Sequence, residues 1–74
     1  MNIKLRGSED FVIEHKGKTF IVDMDFAYPE QSREPRWFVH MRLDDGDGYY
    51  WDQISTFDPS EFNEALYFID QLEV

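Results

Sequence analysis

The sequence predicts an α+β domain: an antiparallel meander of four to five strands with one C-terminal helix packed on one face. Three observations carry that prediction. Apolar and polar residues alternate with a period of two over residues 19–28 and 37–43, as they do in strands with one buried face. Glycine-bearing turns separate neighbouring strand segments at Lys16-Gly17-Lys18 and at Asp44-Asp45-Gly46-Asp47-Gly48, as hairpins require. After Phe57 the apolar residues recur instead at intervals of three and four, the spacing of a helix with one buried stripe.

Residues 2–6 read as a short strand, with Ile3 and Leu5 on one face, Lys4 and Arg6 on the other, and Gly7-Ser8 ending it. Residues 10–15 and 19–28 flank a three-residue loop, Lys16-Gly17-Lys18, whose glycine supplies a positive-φ position. On the longer strand Phe20, Val22, Met24, Phe26 and Tyr28 form the core face. Ile21, Asp23, Asp25 and Ala27 form the solvent face. Pro29 and Pro35 bound a polar loop over 29–36, because proline cannot donate to a strand ladder. Residues 37–43 place Trp37, Val39, Met41 and Leu43 inward and Phe38, His40 and Arg42 outward. The acidic turn then leads into a last strand over 49–54. Its register stays open, because Tyr49 and Trp51 compete with Tyr50 and Ile54 for the core face.

The sharpest local signal is Phe57-Asp58-Pro59-Ser60-Glu61-Phe62. Asp58 is placed as an N-cap, Pro59 at the first helical position and Glu61 where it completes a capping box. Phe57 and Phe62 are spaced for a hydrophobic staple. A helix is expected from about residue 59 to 72, burying Phe62, Ala65, Leu66, Ile69 and Leu72, with Phe68 at the margin. Asn63, Glu64, Tyr67 and Gln71 should look outward.

The 74 residues are read as one domain, 1–74. A chain this short buries only about 60% of its unfolded surface, so its core must be dense in large side chains. Seven Phe, four Tyr and two Trp provide that density. Without cysteine the chain has neither disulfides nor a thiolate metal site. No apolar run approaches the roughly 18 residues of a membrane span, and the first residues lack an apolar signal segment. A cytoplasmic protein is expected, in the host cytoplasm if a phage encodes it.

The net charge of −9 is unevenly placed. Residues 1–42 carry seven acids and all seven bases, whereas residues 43–74 carry nine acids and no base. That asymmetry favours an electrostatically steered interaction with a basic protein and disfavours direct nucleic-acid binding.

Other chemistry is poorly supported. Setting Gly48 at the glycine position of a calcium loop puts Leu43 and Ile54 where oxygen ligands are needed, so no dedicated metal site or cofactor is expected. Ser55, His40 and Asp52 make a triad on paper, but no nucleophile elbow supports it. Asp23 and Asp25 share a strand face, yet so small a sheet leaves little room for a pocket that raises a carboxylate pKa. The glycines near 46 are flanked by aspartates, which would repel phosphate. Enzyme activity is not expected.

The remaining feature is the acidic surface: Asp44, Asp45, Asp47 and Asp52 on the last hairpin, and Glu61, Glu64 and Asp70 on the helix, with Glu73 nearer its buried stripe. Tyr50, Trp51 and Tyr67, with Tyr49 and Phe38, are candidate aromatic anchors. In the run from Leu43 to Val74, with its Tyr49-Tyr50-Trp51 cluster, the chain resembles the small acidic inhibitors encoded by phages and mobile elements, including anti-CRISPR proteins and other DNA mimics. The resemblance implies a stoichiometric inhibitor that occupies a nucleic-acid-binding surface of a CRISPR effector or comparable defence enzyme. The charge-balanced N-terminal half departs from uniformly acidic mimics, so a one-sided acidic face is expected. An immunity protein or antitoxin for a basic nuclease is an alternative. Another is a small structural or regulatory subunit that docks through exposed aromatics, as monomer or homodimer, its acids serving only solubility.

Overall fold

Five strands and one helix follow in order: β1 (Asn2–Gly7), β2 (Asp10–His15), β3 (Lys18–Asp25), β4 (Arg36–Asp44), β5 (Tyr49–Phe57) and α1 (Phe62–Gln71). The computed structural model describes residues 1–7, 10–25 and 35–72. The expected strand positions Phe26, Ala27 and Tyr28, the loop residues 29–34, Ser8 and Glu73 lie outside them. Each strand pairs antiparallel with the next, in the sheet order β1-β2-β3-β4-β5. The chain is thus the α+β meander that its alternation predicts.

One face of the sheet carries the core. Ile13, Phe20, Val22, Trp37 and Val39 are buried there against Ala65 and Ile69 of α1. Phe11, Trp37 and Phe62 stack as three tilted rings, Phe62 lying 4.8 Å from Phe11 and 4.9 Å from Trp37. Such ring pairs contribute about 0.5–1.5 kcal/mol beyond their area burial. Phe57 meets Phe68 edge-on at 5.7 Å instead of stapling Phe62.

The opposite face is open, with one departure from expectation. Ile21, placed on the solvent side by its alternation, is only 7% exposed. It lies on the central strand between Val12 and His40, and cross-strand neighbours on both sides shield it.

The β2–β3 turn is tighter than the three-residue loop expected. His15 pairs with Lys18, leaving Lys16 and Gly17 as the loop, both at positive φ (53° and 78°). Positive φ at both central residues marks a type I′ turn, whose twist suits the flanking strands.

β5 is longer than expected and contains a bulge. Val39 pairs with Ser55 and His40 with Gln53, so Ile54 has no partner. Strict alternation would put Ile54 and Phe57 on opposite faces; the extra residue lets both pack against the core.

The helix begins at Phe62, later than the capping-box reading expects. Its N-cap is Glu61, without a side-chain capping bond. Arg36 Nη1 holds the Asp58 carboxylate at 2.5 Å, and the Trp37 indole N–H donates to the Pro59 carbonyl at 2.9 Å. Both groups that would open a helix at 58–59 are therefore engaged by β4. Half of the box survives: the Asp58 N–H donates to Glu61 Oε1 at 2.9 Å. Residues 58–61 close as a turn, with the Glu61 N–H donating to the Asp58 carbonyl.

Candidate protein-binding surface

The register of β5 decides where its aromatics go. Tyr49 and Trp51 pair with Asp44 and Arg42 on the open face, whereas Tyr50 and Asp52 pair with Leu43 and Met41 on the helix-covered face. β5 is an edge strand, so all three rings stay exposed: Tyr49 57%, Tyr50 51% and Trp51 39%. On the open face they are ordered by neighbours. Trp51 meets Tyr49 edge-on at 6.2 Å, and the Arg42 guanidinium lies 4.1 Å from the Tyr49 ring centroid, a cation–π contact.

The hairpin tip is held by its own polar groups. Asp45 Oδ1 accepts from the N–H groups of Asp47 (3.2 Å) and Gly48 (3.1 Å), and the Asp45 N–H donates to the Gly48 carbonyl. Gly46 takes φ +95°, where a β-carbon is unfavourable. The carboxylate of Asp45 therefore shapes the turn.

Folding redistributes the sequence's charge split. Arg36 pairs with Asp58, and Arg42 Nε lies 3.5 Å from Asp44 Oδ1. His15 Nε2 stands 3.3 Å from Asp70 Oδ1, too poorly aligned for a hydrogen bond, while Lys16 Nζ donates to the Asp70 carbonyl at 3.4 Å. Bases and a histidine from the first 42 residues thus meet acids from the last 32. Exposed pairs of this kind contribute about 0–1 kcal/mol each, but they reduce the field those acids project. Glu61 is spent on the Asp58 N–H.

The expected site residues consequently separate. Asp44, Asp45, Asp58, Glu61 and Asp70 have intramolecular partners. Asp47, Asp52 and Glu64 are the exposed acids of this half whose carboxylates have none among the described residues. Asp70 turns toward the β2–β3 hairpin, away from β5. Glu64 and Tyr67 instead line an apolar groove of about 330 Å³ with Phe57, Phe68, Gln71 and Leu72. That groove runs between α1 and β5. The sequence pattern does not reveal it, because Leu72 reads as core, Phe68 as the margin of the buried stripe and Phe57 as one half of a helix staple. Tyr49 was equally undecided until the bulge fixed the register.

The paper triad is divided by the sheet. His40 and its partner Asp23, 3.2 Å away, lie on the open face. Ser55 and Asp52 pair with Val39 and Met41 on the helix-covered face. Among the described residues no three carboxylate or histidine side chains gather where a metal ion would bind. No described helix is long and apolar enough to cross a membrane.

Comparisons with protein-family models, curated proteins and solved structures found no match for this chain.

Proposed function

We propose that this chain is a non-enzymatic, protein-binding inhibitor. It docks through the β5 edge, the β4–β5 hairpin and the adjoining side of α1 onto a basic, nucleic-acid-binding surface of a cytoplasmic partner. A CRISPR effector or another defence nuclease has the required chemistry. One observation carries the reading: among the described acids after Leu43, Asp47, Asp52 and Glu64 keep exposed carboxylates without an internal partner, and the first two flank the exposed aromatics. Asp47 precedes the Tyr49–Trp51 triplet, Asp52 follows it, and Glu64 rims the groove that α1 forms with Phe57 of β5. Exposed Tyr and Trp ringed by uncompensated charge combine binding anchors with long-range steering. Asp58 and Asp70, which bases of the first 42 residues engage, lie elsewhere.

The test is affinity capture at low salt from the cell in which the protein acts. Wild-type protein is compared with a variant carrying Asp47→Asn, Asp52→Asn and Glu64→Gln. The expected result is a partner retained only by wild type, whose nucleic-acid binding is lost when the inhibitor is added stoichiometrically. A partner captured equally by both proteins, or one that still binds nucleic acid in the complex, would contradict the proposal.

A second reading is favoured by β1. Met1, Ile3 and Leu5 are 49%, 42% and 63% exposed, and α1 does not cover them. A structural subunit would use that strip to join an assembly or a homodimer. Light scattering that finds a dimer insensitive to salt would support this reading.

A further inference from the structure

We infer that the outer edge of β5 receives an extended, basic segment of the partner as a sixth strand. The inference rests on the proposal that the partner is basic, and adds how it is held. A five-stranded open meander has two edges, and unprotected edges template pairing with other chains. β1 carries the usual protection. It is six residues long, bears Lys4 and Arg6, and has a register break between Leu5 and Gly7. β5 is less protected over Tyr49–Gln53, which is exposed throughout, regularly paired with β4 on its inner side, and free of lysine and proline, its single charge being Asp52. Its bulge comes only afterwards, at Ile54.

The surroundings of this edge specify the occupant. Side chains of an added strand alternate between the two faces. Those toward the helix would pass Asp52, which lies on that face of β5, and are basic. Those toward the open face would pass over the exposed rings of Trp51 and Tyr49, the latter already holding Arg42, and are apolar. Asp52 on the helix-covered face has no internal partner among the described residues, Glu64 rims the groove of that same face, and the sequence has no base beyond Arg42. The complementary segment alternates apolar residues with Arg or Lys. Strand addition of this kind draws affinity from backbone hydrogen bonds and specificity from alternate side chains. The β1 strand of a second copy is the competing occupant. It fits less well, because its Arg6 is already bonded to Asp10 at 2.6 Å and its ladder is broken.

The test uses the intact protein and an acetylated, amidated octapeptide alternating Arg and Val. Its control is the same peptide N-methylated at two successive central residues, which blocks both of its hydrogen-bonding edges. Amide hydrogen exchange is followed by NMR. The expected result is about fivefold or greater slowing at the outward amides within 49–53, produced by the first peptide and not by the control. Slowing by neither peptide, or equally by both, would overturn the inference. So would slowing without peptide that grows with protein concentration, since a second copy would then occupy the edge. Failure here leaves the inhibitor proposal testable: a captured partner lost on Asp47, Asp52 and Glu64 substitution would dock by side chains alone. Conversely, edge protection by the peptide with no nucleic-acid-binding partner would remove the inhibitor reading and keep the edge.

Discussion

Glycines 46 and 48 sit two residues apart in the same acidic turn, yet only the first needs to be glycine. Gly46 has φ +95°, whereas Gly48 lies outside the left-handed region, and a β-carbon at either would meet nothing within 4 Å. Gly46→Ala should therefore cost about 1 kcal/mol, lowering Tm by roughly 4–8 °C, while Gly48→Ala should be nearly neutral. Thermal melts of the two variants check the contrast. At the other hairpin Lys16 holds φ 53°, a conformation that asparagine tolerates better. Lys16→Asn is expected to raise stability by about 0.5 kcal/mol, less whatever the Asp70 carbonyl contact contributes. A denaturation midpoint below wild type would contradict it.

At the scale of elements, α1 is held by a narrow stripe. Ile69 is fully buried, whereas Tyr67, two residues away, is 63% exposed. Ile69→Ala should cost about 2–4 kcal/mol, a large part of the total stability of so small a chain, and Tyr67→Ala less than about 0.5. Equal losses in urea titrations would mean that the helix packs differently. The stripe was legible because Phe62, Ala65, Leu66 and Ile69 repeat at helical spacing, strands β1, β3 and β4 were legible through their alternation, and β2 through the glycine turn that follows it. The helix start was not. Asp58 and Pro59 have every local mark of a cap, but their partners Arg36 and Trp37 stand 22 residues earlier. Local pattern carries no information about such tertiary competitors. The register of β5 was hidden for a related reason: one unpaired residue, Ile54, breaks the period from which register is read.

Across the whole molecule, the sequence's charge split and the folded protein's charge pattern differ. Read linearly, all nine acids after Leu43 belong to one acidic run. Folding sends Asp58 to Arg36, Asp44 to Arg42 and Asp70 to His15 and Lys16. Among the described acids after Leu43, those left to project a field are Asp47 and Asp52, which flank the β5 aromatics, and Glu64 at the helix groove. The candidate anchors Tyr50, Trp51 and Tyr67 were legible as residues, but their division between two faces of an edge strand was not. Because the binding surface combines charge with aromatic contact, its two parts should separate experimentally. Charge removal should slow association and weaken its salt dependence. Trp51→Ala should mainly speed dissociation, by about tenfold or more for a buried anchor. Surface-plasmon kinetics with the captured partner would check both.

The most direct measurement compares two variants that remove the same number of charges. One carries Asp47→Asn, Asp52→Asn and Glu64→Gln; the other carries Asp44→Asn, Asp58→Asn and Asp70→Asn. The quantity is affinity for the captured partner at low salt, with folding of both variants verified by circular dichroism. The expected result is a loss of about tenfold or more for the first variant and a much smaller one for the second. Equal losses would show that only net charge matters, and a larger loss from the second would show that the internally paired acids, not Asp47, Asp52 and Glu64, carry the binding.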